Sequence, residues 1–175
     1  MVVLRATQKV LKLLPESAGN SVSSTTALGD WYVNRIVVDR QPLLLLVSST
    51  SLLSIITPAR DVRRLPRRLA AIVKERLRRL GINENALASE VGATTVVTVG
   101  KTVDRSVTGQ MVDFAKAIPY YVRESGWCES ELKAVEDRLA ETPCRASGPS
   151  QNVIFPRETA LGLLESTWSA AVPRH

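Results

Sequence analysis

A chain of 175 residues with 45% apolar and 23% charged residues has the size and composition of one globular domain, not of a disordered or fibrous protein. Folding at that length buries about 70% of the surface that the unfolded chain exposes, so stability needs no disulfide or metal. Its 23 basic and 17 acidic residues give a formal charge of +6 and a pI near 9.7, a balance that leans toward an anionic partner.

Val2–Ala6 reads as a short buried strand and Gln8–Leu14 as a helix, with Val10, Leu11 and Leu14 at helical spacing and Pro15 as its stop. Residues 16–27, rich in Ser, Thr, Gly and Asn, read as a surface loop. Trp31–Val38 is a β-branched and aromatic strand, Asp39-Arg40-Gln41-Pro42 a turn, and Leu43–Val47 an unbroken apolar strand. Ser48–Ser51 turns the chain into a further strand, Leu52–Thr57. Strands joined by short polar turns predict an antiparallel meander, and the apolar middle strand predicts cover on both its faces.

Leu65–Leu80 has strong helical periodicity, with Pro66 tolerated in its first turn and Gly81 as its stop. Asn83 caps a short helix through Val91 that Gly92 ends, and Thr94–Val99 is a β-branched strand. A long helix over 104–125 carries Val107, Met111, Phe114, Ala115, Ile118 and Val122 on one face, with a kink expected at Pro119. Gly126-Trp127 terminates it, Glu129–Ala140 is a further amphipathic helix, Thr142–Gln151 a loop, and Arg157–Trp168 the last helix. The fold class is α/β of the α+β type: a mixed sheet of about five strands, the meander among them, with helices packed on it. Residues 1–125 are expected to form the core domain and 126–175 a helical extension packed on that core.

The start Arg5-Ala6-Thr7-Gln8-Lys9 leading into Leu11, the segment Leu28-Gly29-Asp30-Trp31-Tyr32-Val33-Asn34-Arg35, and Lys101-Thr102 with Arg105-Ser106-Val107-Thr108-Gly109-Gln110-Met111 resemble an uncharacterised bacterial family. That family carries only a "domain of unknown function" label. The resemblance covers residues 1–125 or so; it implies no activity and transfers no catalytic residue.

Several chemistries are excluded or disfavoured. The one histidine is His175, the last residue, so triads, dyads and zinc sites built on histidine are not expected. Cys128 and Cys144 match no metal or redox spacing and read as reduced thiols. Gly100-Lys101-Thr102 looks like the end of a phosphate-binding loop, yet Thr95 stands where that loop needs its first glycine, and Val96–Val99 is strand. No metal or cofactor is expected. The longest apolar stretch, 43–56, contains five Ser/Thr residues and falls short of the roughly 20 residues of a membrane span. Arg5, Lys9 and Lys12 interrupt what would be a signal peptide's apolar region, so a cytoplasmic protein without a membrane partner is expected.

Charge is concentrated in one place. Residues 60–79 hold nine basic and two acidic side chains, a net of +7, so the rest of the chain sums to −1. With 3.6 residues per turn, Leu65, Leu69, Ile72, Val73, Leu77 and Leu80 share one helix face, while Arg63, Arg67, Lys74 and Arg78 lie opposite, flanked by Arg64 and Arg68. Such a face suits RNA, DNA or an acidic protein. It also suits plain solvation, or neutralisation by Glu129, Glu131, Glu136 and Asp137 of the acidic C-terminal region. The first expectation is therefore a non-enzymatic binding module of the kind found in small bacterial regulatory or toxin–antitoxin systems. The alternative is a small histidine-independent enzyme acting on RNA or another phosphate-bearing substrate, its cleft lined by Lys101, Asp104, Arg105 and Asp113 with Tyr32 and Arg35.

Overall fold

The protein is described by a computed structural model covering residues 1–14, 22–122, 127–145 and 152–169. The strands are β1 (Val2–Ala6), β2 (Trp31–Val38), β3 (Gln41–Ser48), β4 (Ser54–Pro58) and β5 (Val97–Lys101). They form one five-stranded sheet in the order β4-β3-β2-β1-β5. β2, β3 and β4 pair antiparallel as the expected meander, while β1 is parallel to both β2 and β5. The helices are α1 (Gln8–Leu11), α2 (Leu65–Leu80), α3 (Glu84–Ala93), α4 (Arg105–Tyr121), α5 (Glu129–Ala140) and α6 (Pro156–Ser169), with a 3-10 turn over Ala59–Arg64. The architecture is a mixed α+β fold.

Strand alternation divides the core into two layers. Leu4, Trp31, Val33, Leu44 and Leu46 pack with Val73 and Leu77 of α2 and with Leu87 and Leu164 of α3 and α6. Tyr32, Leu43, Leu45 and Val47 pack with Met111 and Phe114 of α4 and Leu132 and Val135 of α5. The unbroken apolar run of β3 is thus covered on both faces. Among the described residues, no helix is long and apolar enough to cross a membrane.

Several boundaries move for local reasons. Asp39 and Arg40 take φ of 48° and 66°, as both central residues of a type I′ turn do. Val38 therefore pairs with Gln41, and β3 begins before its apolar run. Leu52 has φ of 59° and belongs to the turn, so β4 starts only at Ser54. Gly92 does not end α3; Thr94 does, its N–H and hydroxyl both donating to the carbonyl of Glu90. Pro119 lies in the last turn of α4, whose end at Tyr121 precedes the expected 125. The loop expected over 142–151 contains the short strand β6 (Cys144–Arg145), paired with β7 (Val153–Ile154). Pro15, residues 16–21 of the 16–27 loop, Gly126 and His175 lie outside the described residues.

One glycine is required by its surroundings. Gly29 has φ of 71°, and a Cβ there would meet Ser49 Oγ at 2.4 Å. This close approach lets the Asp30 N–H donate to Ser49 Oγ and turns the Asp30 carboxylate onto Arg5 Nε at 2.8 Å. Arg5 is 2% exposed, so Asp30 is the counter-charge of a buried guanidinium. Gly29→Ala is expected to lower the thermal midpoint by several degrees, since both the strained φ and the clash oppose it. An unchanged melting curve would contradict this.

Candidate nucleic-acid interface

The α2 helix starts on Pro66 in its first turn and ends on Gly81 at φ of 77°, the left-handed C-cap that glycine favours. Its apolar stripe is buried through Leu65, Leu69, Val73, Leu77 and Leu80. The opposite face and the preceding 3-10 turn carry Arg63, Arg64, Arg67, Arg68, Lys74 and Arg78, all exposed. Arg68 Nη1 lies 3.3 Å from Asp61, a solvent-facing pair of little energetic weight. For Arg63, Arg64, Arg67, Lys74 and Arg78 no acidic partner is found among the described residues.

Glu136 and Asp137 of α5 are directed elsewhere. Arg76 is 1% exposed, within the apolar stripe between Leu65 and Leu69. It donates from Nε to the Ser54 carbonyl at 3.2 Å, from Nη1 to Asp137 at 2.6 Å and from Nη2 to the Glu136 carbonyl at 3.1 Å. Arg79 pairs with Glu136 and, at 3.1 Å, with Asp137. Glu136 also accepts the Ile56 N–H at 2.7 Å. Burial lowers the Arg76 pKa and raises that of Glu136, each opposed by the other's charge. This cluster caps backbone groups on the open edge of β4 and fastens α5 to it. Sequence reasoning counted Arg76 and Arg79 only as part of the segment's charge and named Glu136 and Asp137 only as neutralisers of the outer face. The helical period does mark Arg76, which falls between Leu65 and Leu69 on the wheel, inside the apolar stripe.

Between β4, α2 and α5 lies a groove of about 400 Å³. Ile56, Ile72, Trp127 and Leu132 form its apolar wall, and Arg60 and Arg68 stand at its mouth, 84% and 49% exposed. Lys133 bridges Glu75 and Glu129 along its side at 2.5 and 3.0 Å.

The six cleft candidates do not converge. Tyr32 is buried, its hydroxyl accepting the Asp104 N–H at 3.1 Å, and burial raises the phenol pKa against that hydrogen bond. Asp104 is the N-cap of α4, accepting the Ser106 N–H at 2.7 Å. Lys101 is exposed at the end of β5. Arg35 is in register with Leu44, on the face that α2 covers, whereas Tyr32 and α4 share the other. Arg105 and Asp113 share a hollow, an open one of about 450 Å³ beside Cys144 and Arg145. Among the described residues, no group of three or more Cys, His, Asp or Glu could hold a metal ion.

The two thiols differ. Cys144 is buried beside Asp113, and desolvation aided by that charge pushes its pKa up to about 11. Cys128 is exposed, and the Ser130 hydroxyl followed by the Glu131 N–H lowers its pKa. Because the thiolate is the nucleophile, iodoacetamide at about pH 8 should label Cys128 readily and Cys144 only after unfolding. Equal labelling rates in the folded protein would contradict this.

No curated protein matches the chain. A family model described as "Domain of unknown function (DUF6933)" matches residues 3–159, which extends past residue 125 through α5 and into α6. The chain belongs to that family.

Proposed function

We propose that the protein is a non-enzymatic binding module that holds nucleic acid through the basic face of α2 and the turn before it. The supporting observation is an asymmetry of charge. Glu136 and Asp137 of α5 pair with Arg76 and Arg79, while for Arg63, Arg64, Arg67, Lys74 and Arg78, all exposed, no acidic partner is found among the described residues. Concentrated like charge opposes itself, and an anionic polymer relieves that repulsion. Guanidinium groups add bidentate contacts to phosphate. The scattered cleft candidates lend the enzymatic alternative no comparable assembly.

The test is a salt titration of affinity. Counterion release gives a slope of about −0.9 per phosphate neutralised on duplex DNA and about −0.7 on single strands. The combined variant Arg63→Gln, Arg67→Gln, Lys74→Gln, Arg78→Gln should lose affinity and flatten the slope by about three units, with an unchanged melting curve. Lys101→Ala and Arg105→Ala should leave affinity at the wild-type level. Absence of binding at low salt by the unmodified protein would reject the proposal and leave an acidic protein as the partner of that face.

A further inference from the structure

We infer that the nucleic acid is single stranded, and that the groove between β4, α2 and α5 receives one unstacked base while the basic face holds the flanking phosphates. This rests on the nucleic-acid reading above and specifies its substrate class. Continuity is the first support. Residues 68, 72, 75 and 79 recur at helical spacing along the side of α2 that lines the groove, next to the stripe of Arg63, Arg67, Lys74 and Arg78. Arg60 and Arg68 belong to both surfaces, so a backbone lying on the arginines passes the mouth of the groove.

The chemistry of the walls is the second support. A pocket for phosphate alone would not place the exposed carboxylates of Glu75 and Glu129 along it. A nucleobase offers both donors and acceptors on its edge, and carboxylates accept from exocyclic amines. Arg68, half-exposed at the mouth of the groove, supplies the complementary donors. Trp127 and Ile72 provide apolar surface, and the tryptophan a π face of the kind on which single-strand binders stack bases. The volume of about 400 Å³ falls within the range of small-molecule sites. A paired base inside a duplex cannot enter such a groove, so the site selects against duplex.

The test compares a labelled 12-nucleotide mixed-sequence strand, as RNA and as DNA, with the corresponding duplexes and with a strand of the same length lacking bases. Wild-type protein should bind the single strands at least about tenfold more tightly than duplex or abasic strand. Trp127→Ala should weaken single-strand binding by about 5- to 140-fold and leave duplex binding unchanged. Trp127→Phe should retain most of the affinity, while Trp127→Leu, which keeps the apolar packing if the alanine variant fails to fold, should not. Equal affinity for strand, duplex and abasic strand, or a Trp127→Leu variant that binds like wild type, would overturn the inference while leaving the nucleic-acid reading intact. No binding to any of these probes would overturn both.

Discussion

Glu136→Ala is expected to lower the unfolding free energy by about 3–5 kcal/mol, the range seen when one partner of a buried ion pair is removed. Glu136 is 4% exposed, accepts from two donors, Arg79 and the Ile56 N–H at 2.7 Å, and faces the charge of Arg76, whose Nε lies 3.9 Å from Oε2. Alanine would leave Arg76, at 1% exposure, with Asp137 and two carbonyls but without its buried counter-charge. It would also leave an edge-strand amide unpaired, which by itself costs about 1–3 kcal/mol. For a chain of this size each kcal/mol corresponds to about 2–4 °C, so the melting temperature should fall by at least about 6 °C. Urea unfolding followed by tryptophan fluorescence reads the loss. The pair is expected to be coupled: Arg76→Met with Glu136→Leu should be destabilised by at least about 1 kcal/mol less than the sum of the two single variants. Additive losses would show that the two side chains act separately.

The second large effect is expected at Glu90, which is fully buried in α3. Its carboxyl oxygens accept the N–H groups of Ala27 at 2.8 Å and Leu28 at 3.1 Å, and the indole N–H of Trp168 at 2.9 Å. One side chain thus joins α3 to the segment before β2 and to α6. Glu90→Ala would leave three N–H groups without that acceptor, at about 1–3 kcal/mol for each that stays dry. A total loss above about 3 kcal/mol is expected. Glu90→Gln should also destabilise, because its amide turns a donor toward donors. Trp168→Phe keeps the ring packing and removes a single donor, so its loss should stay near 1 kcal/mol. A Glu90→Ala variant as stable as wild type would mean that water takes over all three donors.

The sequence by itself determined the parts of this protein whose causes are local. The apolar run Leu43–Val47 marked a strand covered on both faces, and the spacing of Leu65, Leu69, Val73, Leu77 and Leu80 placed a helix with the observed bounds. Asn83 and Gly81 act as caps because capping depends on a residue's own neighbours. The outward direction of Arg63, Arg67, Lys74 and Arg78 followed from the helical period alone. The same period puts Arg76 inside the apolar stripe and Arg79 at its border, but it does not say what either one pairs with. How an arginine is accommodated there depends on what packs against it, here the edge of β4 and residues of α5 up to 61 positions away. Glu90 reads as an ordinary polar helix residue, since its donors come from 62, 63 and 78 positions away. The β6–β7 ribbon, two residues a side, is too short to show a period. The groove beside Trp127 likewise exists only because α5 docks against β4 next to α2, and periodicity in one segment carries no information about the distance to another.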